Sequence, residues 1–257
     1  MKTLAQTNIQ LFKQLEAAGY SCREIERAAS AYQLASRLFS AQYRGSGKPF
    51  VSHLIGTASA LALDANTVEE LCAGLLHAAY EAGTFPFDTY REITARKRAY
   101  VACCIGEDAE QLVFAYHNTP WTPESLADFL AEPTSLPHHT VRLRLANELD
   151  DLWDDGMYFS GKGKAASLAS AHFRSDLRRA ATKVQAPTLG AALAEALDRY
   201  EELMHQVAAP GLVGRSFSYL QLPPCTTRTL RHRLGRALRR ARRGLQKVQA
   251  LAMSTND

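Results

Sequence analysis

The sequence predicts an all-α fold. Apolar residues recur at helical spacing along most of the chain, no sustained period-two alternation marks a strand, and Ser, Thr and Gly stand where helices would begin and end. With 257 residues, 46% apolar and 22% charged, the chain can bury one large core or two small ones, and it has the balance of a folded globular protein.

The elements follow in order. An amphipathic helix is predicted over residues 4–18, stopped by Gly19. Ser21 and Glu24 have the capping-box spacing and open a second helix, to about Tyr43. Residues 44–49 form a Gly-rich loop, and a third helix covers 51–63. Asn66 and Thr67, followed by Glu69 and Glu70, start a helix that carries His77 and ends at Gly83. Further helices are predicted at 87–104, 108–116, 123–131 and 138–153. Thr122 and Pro123 supply a cap and a proline at the first helical position of one of them. After a loop at 156–164 come helices at 165–184, 189–208 and 226–253. The predicted organisation is a helical domain over residues 1–209 and a basic helical extension over 210–257.

Composition excludes several classes. No run approaches the roughly 18 apolar residues of a membrane span, and the polar amphipathic N-terminus does not read as a secretory signal. Five cysteines without metal-ligand spacing point to reduced thiols and a cytoplasmic location. Gly156 to Gly163 has the phosphate-loop spacing Gly-x4-Gly-Lys, but Gly163 stands where a hydroxyl is needed and no strand precedes it. No Gly-x-Ser-x-Gly nucleophile turn is present.

Charge is uneven. Residues 203–257 hold ten Lys or Arg against one acid, a net +9, so residues 1–202 carry −5 of the overall +4. Leu230, Leu234, Leu238, Ala241, Leu245 and Val248 form an apolar stripe beside the arginines. Such a helix suits docking on the acidic body of the same protein, with a membrane surface, nucleic acid or another acidic partner as the alternatives. It lacks the interleaved aromatics of a single-strand nucleic-acid binder.

The candidate chemistry lies in two histidines 24 residues apart, both in apolar helical segments where an imidazole must be hydrogen-bonded or liganded. Three i,i+4 pairs share helix faces: His53 with Thr57, His77 with Glu81, and Asn147 with Asp151. If their helices converge, imidazoles, an amide and carboxylates meet in one pocket. A histidine on an apolar helix also serves as a hydrogen-bonded core residue, and the run Asp150, Asp151, Asp154, Asp155 reads as a solvated acidic face. Arg44 and Lys48 are candidates for binding an anion, with Tyr80 and the Tyr116-His117 pair lining the pocket.

Arg44-Gly45-Ser46-Gly47-Lys48-Pro49-Phe50-Val51-Ser52-His53, then Leu75-Leu76-His77, then Leu145-Ala146-Asn147, resembles the HD-domain superfamily, and within it the hydrolase domain of RelA/SpoT alarmone enzymes, over residues 25–155. The resemblance implies an HD-type helical bundle. It also implies a divalent metal, usually manganese, held by two His and two Asp, which activates water to remove pyrophosphate from guanosine tetraphosphate. His53 and His77 match the metal histidines, Glu81 the catalytic Glu, and Arg44 an arginine near the base. Ala78 and Asn147 replace the two Asp ligands, Ala82 replaces the second catalytic acid, and Asp151 stands where the family has Asn. The chain is also similar to an offshoot with His-Leu-x-Gly-Thr, Ala-Gly-Leu-x-His-x-x-Tyr and Ala-Asn motifs.

Two imidazoles and an amide leave a dication uncompensated, so the expectation is a site without a resident metal. If manganese or iron is held, its ligands are His53, His77 and Asn147. The expected function is acid–base chemistry by His53, His77, Glu81 and Asp151 on a small anionic or phosphorylated metabolite, with Arg44, Lys48, Tyr80 and Asn147 binding it. Elimination, cyclisation or isomerisation would suit such a site. A silent pseudo-hydrolase that binds a nucleotide or protein, and a divergent metal-dependent phosphohydrolase, are the alternatives.

Overall fold

Helix α3 (Phe50–Leu61) is buried around nearly its whole circumference, and the other helices are laid against it. The computed structural model describes residues 3–44, 46–87, 92–155, 168 and 170–206. Around α3 stand α1 (Asn8–Ala17), α2 (Cys22–Phe39), α4 (Val68–Leu76) and α9 (His138–Trp153). The short α5 (Ala79–Ala82) continues α4 after a break, and α6 (Ala95–Ile105) and α7 (Glu107–Asn118) cover one side. The hairpin of α10 (Ala171–Lys183) and α11 (Pro187–Gln206) packs along α9, and helix α8 (Pro123–Ala131) packs on α10. The described residues contain no strand, only an isolated bridge between Tyr43 and Pro49, so the fold is all-α. No described helix is long and apolar enough to cross a membrane. The phosphate-loop-like run at 156–163 and the basic extension at 210–257 lie outside the described residues.

Several boundaries are written in local chemistry. The side chain of Ser21 accepts from the Glu24 backbone N–H and Glu24 reaches back to Ser21, while Thr67 and Glu70 repeat the arrangement on α4. A third box, Thr7 with Gln10, starts α1 later than its apolar pattern suggests. The residues before it still join the core, because Leu4 and Ala5 are buried and the Ala5 N–H donates to Ser59 Oγ at 2.8 Å. Helix α2 stops at Phe39, well short of Tyr43, because Ala41 turns to φ +57°. Helix α6 starts only at Ala95, where Thr94 caps it, and not near Phe87.

Close approach in the centre depends on small residues. A Cβ on Gly74 of α4 would stand 2.9 Å from Leu61 Cδ1 and 3.1 Å from Ala58 Cα, so the two helices touch nearly backbone to backbone. Helix α4 is tied to α9 by Arg142, whose Nη2 lies 2.5 Å from Oε1 of the buried Glu70. These contacts fix His53 on α3 and His77 at the end of α4 against Asp150 and Asp151 on α9.

Candidate functional site

The loop between α2 and α3 folds back on itself. Arg44 N–H donates to the Lys48 carbonyl at 2.8 Å, and Gly47 takes φ +88°, a conformation that favours glycine. Both cationic side chains are thereby carried to the end of α9. Arg44 Nη2 donates to both carboxylate oxygens of Asp151, at 2.6 Å to Oδ2. Lys48 Nζ lies 2.8 Å from Asp150 Oδ1 and 3.3 Å from Asp154 Oδ2. Burial works against the Arg44 charge, but the Asp151 carboxylate outweighs it and raises the guanidinium above its ordinary value.

Behind these ion pairs lies a row of hydrogen-bonding groups. His53 Nδ1 faces Asp150 Oδ2 at 2.7 Å, His53 Nε2 faces His77 Nε2 at 3.3 Å, and His77 Nδ1 lies 2.8 Å from the Gly74 carbonyl. His53 and Asp150 are 0% exposed and His77 2%. A carbonyl only accepts, so His77 carries a proton on Nδ1 and offers a lone pair at Nε2. Asp150 reaches His53 because residue 56 is glycine: a Cβ there would lie 1.7 Å from Asp150 Oδ1. Thr57, one turn beyond His53, donates to the His53 carbonyl and takes no part in the row. The Tyr116 ring stands edge-on to His77 at 4.9 Å and carries the Arg144 guanidinium 3.7 Å from its centroid.

Both imidazoles are held below their usual range. For His53 burial is the main cause and the Arg44 charge adds to it, against the pull of Asp151 and Asp150. For His77 burial again leads, followed by His53, and the value falls well below the ordinary one. At neutral pH the rings are therefore uncharged.

The sequence-expected residues divide. His53, His77, Asp151, Arg44 and Lys48 converge as expected, and Asn147 is buried one turn before Asp150 and Asp151. Glu81 does not join them. The α4 helix ends at Leu76, residues 77 and 78 form a turn, and Glu81 is exposed on α5, so the i,i+4 face shared with His77 is lost. Tyr80 is buried, but its hydroxyl donates to Glu110, which Arg98 holds at 2.6 Å; burial and Glu110 raise the phenol. It belongs to an α5–α7 network beside the site. Asp150 and Asp151 are not a solvated acidic face, because Lys48 and Arg44 supply the charge that lets them be buried. Asp150, which completes the row, was not among the expected site residues. A glycine inside an otherwise apolar helix, Gly56, was the signal that some group approaches there.

Residues 36–120 match a family described as a domain of unknown function, DUF6817. No curated protein matches the chain. Among solved structures the chain is similar to a metazoan ortholog of SpoT that hydrolyzes ppGpp and plays a role in starvation responses. The identity is 18%, over 74% of this chain and 98% of that one, with a TM-score of 0.44. At that score the likeness assigns neither substrate nor site residue here.

The metal implied by the motif resemblance can be set against the donors present. The spacing of the two Nε2 atoms, 3.3 Å, is that of neighbouring ligands on a metal with bonds of about 2.1 Å. The oxygen donors do not follow. Ala78 has none, Asn147 is neutral, and Asp150 and Asp151 lie on the Nδ1 edge of His53, already paired with Lys48 and Arg44. His53, Asp150 and Asp151 do offer one ligand atom each within 4.8 Å of one another. Two cationic side chains already neutralise that group, so it does not fit a manganese centre of the hydrolytic kind.

Proposed function

We propose that this is an HD-like protein in which Asp150, His53 and His77 carry out metal-independent proton transfer on a small anionic metabolite. Elimination, cyclisation or isomerisation fits such a centre better than phosphoester hydrolysis, which depends on metal-activated water. The HD assignment rests on the motif order from Arg44 to Asn147.

One observation carries the acid–base reading. The row Asp150–His53–His77–Gly74 has three links, at 2.7, 3.3 and 2.8 Å, and each can hold one proton. A carboxylate with two neutral imidazoles supplies only two. At neutral pH the link between the Nε2 atoms is the one left short, with two lone pairs facing each other. A third proton relieves that contact and makes His53 an imidazolium beside Asp150. The row is thus a base that gains a hydrogen bond when it takes a proton, and an acid once it holds one. Arg44, whose side chain is 22% exposed, is the cationic member with most access to solvent and meets the anionic group of the substrate.

The complete burial of the histidine pair favours a second reading, a silent relative that binds a nucleotide or partner protein through Arg44 and its surroundings. The test uses the whole chain with guanosine tetraphosphate and manganese, alongside the His53→Gln and His77→Gln variants. The acid–base proposal expects no pyrophosphate release from any of them. It also expects loss of the physiological activity in both variants while their circular dichroism is unchanged. Manganese-dependent pyrophosphate release by the wild-type chain that either substitution abolishes would overturn it. Full activity in both folded variants would favour the silent reading.

A further inference from the structure

We propose that Lys48 is the built-in cation of this site: its ammonium stands where a metal ion would neutralise Asp150, and removing its charge turns His53, Asp150 and Asp151 into a divalent-cation site. The inference rests on the metal-free reading above and extends it to what replaces the metal.

The donors are already arranged. His53 Nδ1 lies 2.7 Å from Asp150 Oδ2 and 3.5 Å from Asp151 Oδ1. One nitrogen and two carboxylates, all buried, thus present ligand atoms within 4.8 Å of one another. Two carboxylates this close and this dry must be neutralised by something. Arg44 answers Asp151. Lys48 answers Asp150, and its side chain is itself only 9% exposed, which is uncommon for a strongly hydrated ammonium. Its Nζ touches carboxylate oxygens of both Asp150 and Asp154, as a small cation would, and not one partner in the manner of a surface ion pair.

Charge then decides what else can enter. The buried pair Asp150 and Asp151 is balanced by Lys48 and Arg44, and the third carboxylate, Asp154, is 41% exposed and solvated, so a dication would add two positive charges to buried acids that are already neutralised. With Lys48 neutral the cluster is left negative, and a dication gains two carboxylates and, once the His53 proton has moved from Nδ1 to Nε2 where His77 Nε2 accepts it, an imidazole nitrogen. A merely structural lysine would also destabilise the fold when replaced, but its loss would create no affinity for a metal.

The experiment titrates Mn2+ into the full chain, following free Mn2+ by electron paramagnetic resonance, with circular dichroism as the check on folding. Wild type and Lys48→Arg are expected to bind no Mn2+ at this site. Lys48→Met and Lys48→Gln are expected to bind one Mn2+ at least tenfold more tightly than wild type, and the gain is expected to vanish when Asp150→Asn is added. If a neutral variant is unfolded without metal, Mn2+ should restore its helicity, and failure to do so counts against the proposal. Folded neutral variants that bind Mn2+ no better than wild type would overturn it while leaving the proton-transfer reading in place. One Mn2+ bound by the wild-type chain and lost on His77→Gln would overturn both.

Discussion

Replacing Gly56 by alanine is the sharpest perturbation of the site, because it adds one methyl group and replaces none of the charged residues. The new Cβ would stand 1.7 Å from Asp150 Oδ1 and 2.6 Å from its Cγ. Reaching ordinary contact moves the carboxylate by about 1.7 Å or more. That shift breaks the 2.8 Å contact with Lys48 and the 2.7 Å contact with His53. Disrupting a buried, hydrogen-bonded ion pair costs about 3–5 kcal/mol. Alanine returns up to about 1 kcal/mol of helix propensity, so the net loss should be about 2–4 kcal/mol. Urea denaturation followed by circular dichroism measures it. The sign should reverse in an Asp150→Ala background. There the two nearest clashing atoms are gone and the next, the flexible end of Gln6 at 3.0 Å, can move aside, so the substitution becomes neutral or stabilising by up to about 1 kcal/mol. An equal cost in both backgrounds, or no cost in wild type, would refute the placement of Asp150 against α3.

Other consequences follow from the same geometry. His53 and His77 are held below the ordinary imidazole value, so the unfolded chain takes up protons first as pH falls; the stability this contributes is present above about pH 6.5 and is lost below it. The urea midpoint should therefore drop from pH 7 to pH 5, and less steeply once His53 and His77 are both replaced by Gln. Arg44→Gln removes the guanidinium that pairs with Asp151, whose side chain is 7% exposed, and should cost about 2 kcal/mol or more, measurable in the same assay. Tyr80→Phe removes a hydroxyl from Glu110, which keeps Arg98, and should cost about 1 kcal/mol without moving the ring 15N signals of His53 or His77.

The helices were legible where sequence-local chemistry sets them. The Ser21–Glu24 and Thr67–Glu70 boxes start helices where the sequence predicts, and α8 and α9 have their predicted limits because Thr122, Pro123 and Pro137 punctuate them. Helical spacing gave His53, His77 and Asp151 as candidates on their own helix faces, and the motif order suggested that those helices meet; spacing alone did not show convergence. What escaped was tertiary. The break at residues 77 and 78, which removes Glu81 from the site, has no local breaker: Ala78 is a good helix former that takes φ −90°, ψ 7°. The burial of Asp150 and Asp151 depends on Lys48 and Arg44, 102 and 107 residues earlier in the chain, so four acids in a short run looked like a solvated face. Composition assigns charge to a segment; only the fold shows which charges meet.

The row of imidazoles can be read directly by 15N NMR of histidine-labelled protein, prepared without added metal and titrated with acid. At neutral pH both His53 and His77 should be protonated on Nδ1 and bare on Nε2, and acidification should move the two Nε2 signals together as one proton enters between them. A neutral ring with its proton on Nε2, or two rings that titrate independently near the ordinary imidazole value, would contradict the account.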